Sequence, residues 1–118
     1  MKIIGDSPVR IGNSFHCAEE CYVISQNHDY NHGNCVPYDS QRYIEKETII
    51  EDAVLLGVGV VVLGGTHIGE GAIIQTGSVV VGDIPPYAMA GGHPAKVFKY
   101  RGIEHYEKLK KDGKFLKV

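Results

Sequence analysis

Six histidines, His16, His28, His32, His67, His93 and His105, are spread along a chain of 118 residues. Imidazole is the side chain whose unperturbed pKa lies near neutrality, so each is a candidate general base or metal ligand. His28 and His32 stand four apart in a polar stretch that also holds Asp29, Tyr30, Tyr38 and Tyr43. Cys17 and Cys21 precede them at the same spacing, but only six residues separate Cys21 from His28, too few for the usual zinc finger. Three cysteines, the third being Cys35, are odd in number and too few for a disulfide framework, and they read as reduced thiols. Charge is also unevenly placed. From Lys96 to Val118 there are 8 basic and 3 acidic residues, a local +5 in a chain of net charge −2. Such a tail suits phosphate or an acidic surface. It comes without the recognition motif or aromatic platform that nucleic-acid binding needs.

Positioning these groups falls to a chain rich in β-branched residues. It has 13 Val and 12 Ile against 5 Leu, with 15 Gly and no Trp, which predicts short strands broken by tight turns. From Ile50 the chain divides into sixes that begin at Ile50, Leu56, Val62, Ile68, Ile74 and Val80. The fifth position of each is small or β-branched: Val54, Val60, Thr66, Ala72, Ser78, Ile84. A period of six fits neither an α-helix nor a heptad coiled coil. It fits a short strand and a turn with one large aliphatic residue pointing inward. Three such units close a coil, and stacked coils place Ile50 over Ile68, Leu56 over Ile74 and Val62 over Val80. The class is an all-β solenoid, a parallel β-helix with coils ~4.8 Å apart.

The same register returns upstream in Ile11, Cys17 and Val23, with Cys17 in an aliphatic slot. Ile4-Gly5 falls one residue out of phase, which predicts a bulge near Ser7-Pro8. Between the two runs a loop of about 28–48 has no period and protrudes. His16 and His67 fall at turn positions of their sixes and read as solvent-facing. Pro85-Pro86 should end the ladder. A short C-terminal α-helix of about 102–112, with the stripe Ile103, Tyr106, Leu109, should follow and cover the open edge of the last coil. Residues 1–118 form one domain. No apolar run reaches the ~20 residues of a membrane span, and Met1 to Arg10 lacks the layout of a signal peptide. A cytoplasmic protein is expected.

The segment Thr48–Lys96 resembles the hexapeptide-repeat acetyltransferases, most closely their xenobiotic and sugar O-acetyltransferase branch. The resemblance is carried by the hexads after a histidine-bearing loop, by Asp83-Ile-Pro-Pro-Tyr87, and by Gly91-Gly-His-Pro-Ala-Lys96. It departs from the family at Leu55, where a tryptophan is usual, and at His93, where an asparagine is usual. About one coil precedes the loop where relatives often have more. The resemblance implies a left-handed helix of coils, a homotrimer, and acetyl-CoA as acyl donor with no metal. It implies His28 as general base, and Val58, Thr76, Val81, Gly82, Lys96 and Lys99 along the CoA groove between two chains. The two lysines would meet phosphates. Asp29, Tyr30 and His32 are candidates for the acceptor, with His32 also the second choice as base, and Asp29 placed to orient the imidazole, to receive a sugar hydroxyl or simply to form a turn. Tyr38 and Tyr43 are further candidates for stacking on a sugar ring.

The function implied is acetyl transfer from acetyl-CoA to a hydroxyl of a sugar or sugar-containing small molecule. Two other readings are open. The chain is a β-helix scaffold or binding module without catalysis, or a zinc enzyme like the γ-carbonic anhydrases, for which a third histidine at the paired spacing is missing. Neither nucleic acid nor membrane is an expected partner.

Overall fold

The structure, a computed structural model, describes residues 1–116; Lys117 and Val118, the end of the basic tail, lie outside the described residues. The hexads wind into a left-handed parallel β-helix with three faces. The first face joins β1 (Lys2–Ile4), β4 (Tyr22–Ile24), β9 (Val61–Leu63) and β12 (Val79–Val80). The second joins β2 (Val9–Ile11), β7 (Thr48–Ile50) and β10 (His67–Ile68). The third joins β3 (His16–Cys17), β8 (Leu55–Leu56), β11 (Ile73–Ile74), β13 (Ala88–Gly92) and β14 (Ala95–Tyr100). Every pairing between coils is parallel; within the three faces only the turn-linked β13 and β14 meet antiparallel.

The aliphatic columns are those the period predicts. Ile11, Ile50 and Ile68 are successive partners, as are Cys17, Leu56 and Ile74, and Val23, Val62 and Val80. Burying one such side chain stabilises by roughly 1.5–3 kcal/mol, so the stacked columns are the main source of cohesion. The fifth hexad position supplies a second interior column, in which Val54, Val60, Thr66, Ala72 and Ser78 are all buried. Cys21 belongs to it as well, 1% exposed with its Sγ 3.1 Å from the Gly57 carbonyl oxygen. Cys17 is the less buried of the two because it lies on the outermost strand of its face.

The fourth residue counted from Ile11, Cys17, Ile50, Leu56, Val62, Ile68, Ile74 and Ile84 turns the corner in the left-handed backbone region; in the short unit from Val80 to Ile84 the left-handed residue is Gly82, at +93°. Gly59, Gly65, Gly71 and Gly77 have φ between 72° and 81°, and Ser14, Glu20, Ala53 and Tyr87 do the same work at 55° to 64°. Glycine suits this position because the region penalises a Cβ.

Two expectations about the ladder are corrected. Upstream, Ile3 and not Ile4 pairs with Val23, so the coil between Ile3 and Ile11 holds two extra residues instead of one. They are taken up by the turn at Gly5, whose φ is +103°. At the other end the ladder passes the two prolines. Ile84 bridges Ile68 through its own N–H and carbonyl, Pro85-Pro86 occupy the next corner, and β13 then pairs with β11. Proline is tolerated there because the corner demands no ladder donor. The Gly91–Lys96 motif is the tight turn between β13 and β14, in which Gly92 pairs with Ala95 and His93 is exposed.

The helix α1 (Ile103–Lys111) forms where the stripe predicts, but it does not cap the last coil. β14 covers that edge on the third face. α1 lies against the corner between the second and third faces, with Tyr106 buried against Gly71 and Arg101 stacked over its ring. Tyr106 donates a hydrogen bond of 2.8 Å to Glu70, Lys110 lies 2.9 Å from the same carboxylate, and Tyr87 donates to Glu107. Burial pushes the Glu70 carboxyl up, yet the donors Lys110 and Tyr106 outweigh it and hold it below the usual range. Burial, and then the Glu70 carboxylate, push the Tyr106 hydroxyl up. The hydrogen-bonded carboxylate is what fixes the choice of corner.

Candidate functional site

The polar insertion leaves the solenoid at the corner between the first and second faces. Both of its feet are tied down. The Ser25 N–H donates to the Ile4 carbonyl at 2.8 Å, and the Thr48 N–H donates to the Pro8 carbonyl at 3.0 Å. On the coil below, the Gly65 N–H donates to the Thr48 hydroxyl at 3.2 Å. A Cβ on Gly64 would sit 2.7 Å from the Ser25 carbonyl oxygen, so the next coil passes directly under the insertion.

The insertion is an antiparallel hairpin, not a plain loop from position 28. It pairs β5 (Gln26–His28) with β6 (Tyr43–Glu45), in the register Gln26↔Glu45, Asn27↔Ile44, His28↔Tyr43. Gln26 Nε2 donates to Glu45 at 2.9 Å and reinforces the base. Beyond β5, Asp29 begins an Asx turn by accepting the Asn31 N–H at 3.1 Å. The return is governed by Asp39, which sequence reasoning missed. Its two carboxylate oxygens accept from the Asn34 N–H at 3.1 Å and the Gln41 N–H at 3.0 Å. Those backbone donors, Gln41 first, hold its carboxyl below the usual range. The signal available was Asp39-Ser40-Gln41, an Asx turn directly after Pro37-Tyr38.

His28 is the only one of the six histidines that is not exposed. Its ring stacks on Tyr38, with centroids 3.6 Å apart and planes 15° apart, and Tyr43 tilts against it at 4.9 Å. Its Nδ1 is buried and has no hydrogen-bond partner. Asp29 does not orient this imidazole. Both of its oxygens lie 2.9 Å from Nδ1 of His32, and that hydrogen bond is the first cause holding the Asp29 carboxyl below its usual range. Asp29 and His32 thus form their own pair near His28, and Tyr30 stands 70% exposed beside them. Tyr38 and Tyr43 are engaged with His28, which leaves Tyr30 as the more open ring of the three.

The residues expected along a CoA groove lie elsewhere on the solenoid. Val58 and Thr76 are exposed on the corner between the third and first faces, one coil apart. Val81 and Gly82 are exposed on the corner between the first and second faces, the corner that bears the insertion. Lys96 and Lys99 are exposed on β14, at the far edge of the third face. One chain therefore does not bring His28 to the lysines. Gly77 and Gly82 flank open space, with no heavy atom within 4 Å of where a Cβ would stand. Among the described residues no three His, Cys, Asp or Glu side chains converge to hold a metal ion. No described helix is long and apolar enough to cross a membrane.

The solenoid has counterparts among known proteins. Residues 47–82 match the family model described as bacterial transferase hexapeptide (six repeats). Residues 47–82 carry the hexapeptide repeat. The chain is similar over 95 residues, at 38% identity, to the probable acetyltransferase Rv3034c of Mycobacterium tuberculosis, covering 80% of this chain and 31% of that protein. Over 51 residues it is 49% identical to the 2,3,4,5-tetrahydropyridine-2,6-dicarboxylate N-acetyltransferase of Staphylococcus aureus, covering 43% of this chain and 21% of the relative. Among solved structures, galactoside acetyltransferase in complex with coenzyme A superposes with a TM-score of 0.75 at 25% identity, covering 88% of this chain and 50% of that one. The resemblance of this hexapeptide-repeat chain to acetyltransferases, drawn from its motifs, holds. The chain spans under a third of the length of these curated relatives.

Proposed function

We propose that this chain transfers an acetyl group from acetyl-CoA to a hydroxyl of a sugar or sugar-containing small molecule, with His28 as general base. The acceptor oxygen attacks the thioester carbonyl carbon while His28 takes the hydroxyl proton. Collapse of the tetrahedral intermediate breaks the carbon–sulfur bond, and the departing CoA thiolate recovers that proton from the imidazolium. The observation that carries the reading is that one histidine of six is half-buried while the other five are exposed, and it lies at the root of the insertion on a hexapeptide-repeat solenoid. The galactoside acetyltransferase that shares the fold was solved with coenzyme A bound, which supports the donor.

The working unit in this reading is a homotrimer. The CoA groove runs between two copies, Val58, Thr76, Val81 and Gly82 offering backbone to the pantetheine arm and Lys96 and Lys99 meeting its phosphates. The separation of these residues in a single chain supports an arrangement that needs two. So does the outer surface of the first face, where Tyr22, Val61 and Val79 stand in one row and Ile24 beside Leu63 in the next. Asp29, Tyr30 and His32 are left at the mouth of the site for the acceptor.

Calorimetric titration of the purified protein with acetyl-CoA, in the presence of chelator, tests the donor before any acceptor is known. Saturable binding at about one per chain is expected, and its absence in a verified trimer would sink the reading in favour of a scaffold. His28→Ala should bind acetyl-CoA as the parent does and lose ~10²–10⁴-fold in turnover. Retention of more than a tenth of the parent rate removes His28 as the base. Offering amine and hydroxyl forms of the same sugar separates N- from O-transfer.

A further inference from the structure

We infer that Tyr38 is a positioning residue for the His28 imidazole, holding by ring stacking the ring plane that a hydrogen bond to the second ring nitrogen usually helps to fix. The inference rests on the reading of His28 as general base. A catalytic imidazole is ordinarily held in plane by a partner on its non-reacting nitrogen, often a carboxylate or a carbonyl. Here that nitrogen has none: Nδ1 is buried and unpartnered. The nearest carboxylate in sequence, Asp29, is committed to His32 through both oxygens. What does touch the ring is aromatic. Tyr38 lies almost parallel over one face at 3.6 Å, and Tyr43, its cross-strand partner, closes in at a tilt of 33°. Tilting the imidazole out of this plane about χ2 would break the parallel contact, so the stack fixes the plane in which the ring nitrogens lie.

Tyr38 is itself fixed from behind. Asp39 follows it immediately and ties the chain to Asn34 and Gln41, while its backbone carbonyl accepts the Arg42 N–H at 3.0 Å. Gly33 leaves room for this turn, since a Cβ there would lie 2.5 Å from Asp39 Cβ. The sequence of contacts therefore runs from Asp39 to Tyr38 to His28, all of them residues of the insertion.

The test compares Tyr38→Ala, Tyr38→Leu and Tyr38→Phe with the parent and His28→Ala, each verified as folded by circular dichroism. The first readout is the NMR shift of the His28 ring protons, which lie in the ring current of Tyr38. An upfield displacement is expected in the parent and in Tyr38→Phe, and its loss in Tyr38→Ala and Tyr38→Leu. The second is release of CoA thiol from acetyl-CoA with galactose, maltose and glucosamine as acceptors. Tyr38→Ala and Tyr38→Leu should lose on the order of 10–100-fold in kcat, with KM for acetyl-CoA within about twofold of the parent and Tyr38→Phe restoring the rate. Unchanged His28 shifts in Tyr38→Ala overturn the positioning role. A parent-like kcat in Tyr38→Ala beside an inactive His28→Ala overturns it too, while leaving the base assignment intact. If His28→Ala keeps the parent rate, the base assignment falls and the NMR readout still decides whether Tyr38 sets the ring.

Discussion

Asp39 shows how much one side chain on an irregular segment can organise. Its carboxylate gathers two backbone N–H groups, and the negative charge strengthens both bonds. Because those donors favour the ionised form, its folded pKa lies below the ordinary 3.8. The sign follows from linkage: the contribution is complete above the ordinary value and is lost as pH falls through the lower folded one. The hydrogen bonds from the Asn34 and Gln41 N–H groups to Asp39 should therefore persist from neutral pH down to 3.8 and weaken only in stronger acid, as read from the pH dependence of those two amide shifts. Asp39→Asn keeps one acceptor oxygen of two, so amide exchange at Asn34 or Gln41 should rise roughly fivefold at neutral pH. At this scale the sequence was only partly readable. His28 stood out by its place at the head of the insertion. Its partners did not, because Tyr38 and Tyr43 lie 10 and 15 positions away along a stretch without a period.

Elements are where the hexad reading was strongest, and the reason is local. Each turn of the solenoid repeats one rule, an aliphatic residue inward and a left-handed residue at the corner, so the columns follow from counting. The corners also offer a sharp comparison. Gly77 and Gly71 share nearly the same φ, +75° and +72°. A Cβ at Gly77 meets nothing within 4 Å, whereas at Gly71 it would lie 2.9 Å from Tyr106 Cε2. Gly77→Ala should cost about 1–2 kcal/mol of stability from backbone strain alone. Gly71→Ala should cost a further ~1–3 kcal/mol by displacing a buried, hydrogen-bonded ring, and should loosen α1. Urea titrations of the two variants check the difference, and equal losses would mean that α1 does not bear on Gly71. The placement of α1 was the less legible part. Its apolar stripe announced a buried face but not which corner would bury it, a choice made by Glu70, 36 positions before Tyr106.

For the molecule as a whole, the outer row Tyr22, Val61 and Val79 is the feature that an isolated chain does not explain. Val61→Asp puts a charge in the middle of this row without disturbing the inward column of Val62. If the first face joins copies, the variant should sediment as a monomer at micromolar concentration and lose acetyl-CoA binding by tenfold or more, since an unpaired charge in an apolar contact costs several kcal/mol. A trimeric Val61→Asp with parent affinity would place the contact on another face. The insertion, finally, bears on how such a chain tolerates change. Val23 and Val62 are direct partners although 39 positions separate them. The excursion between them leaves and re-enters at adjoining points, Ser25 and Thr48, each tied to the coil above. Nothing in the ladder registers its length or composition. The corner is thus a socket for interchangeable grafts, which are free to vary while the solenoid that carries them stays as it was.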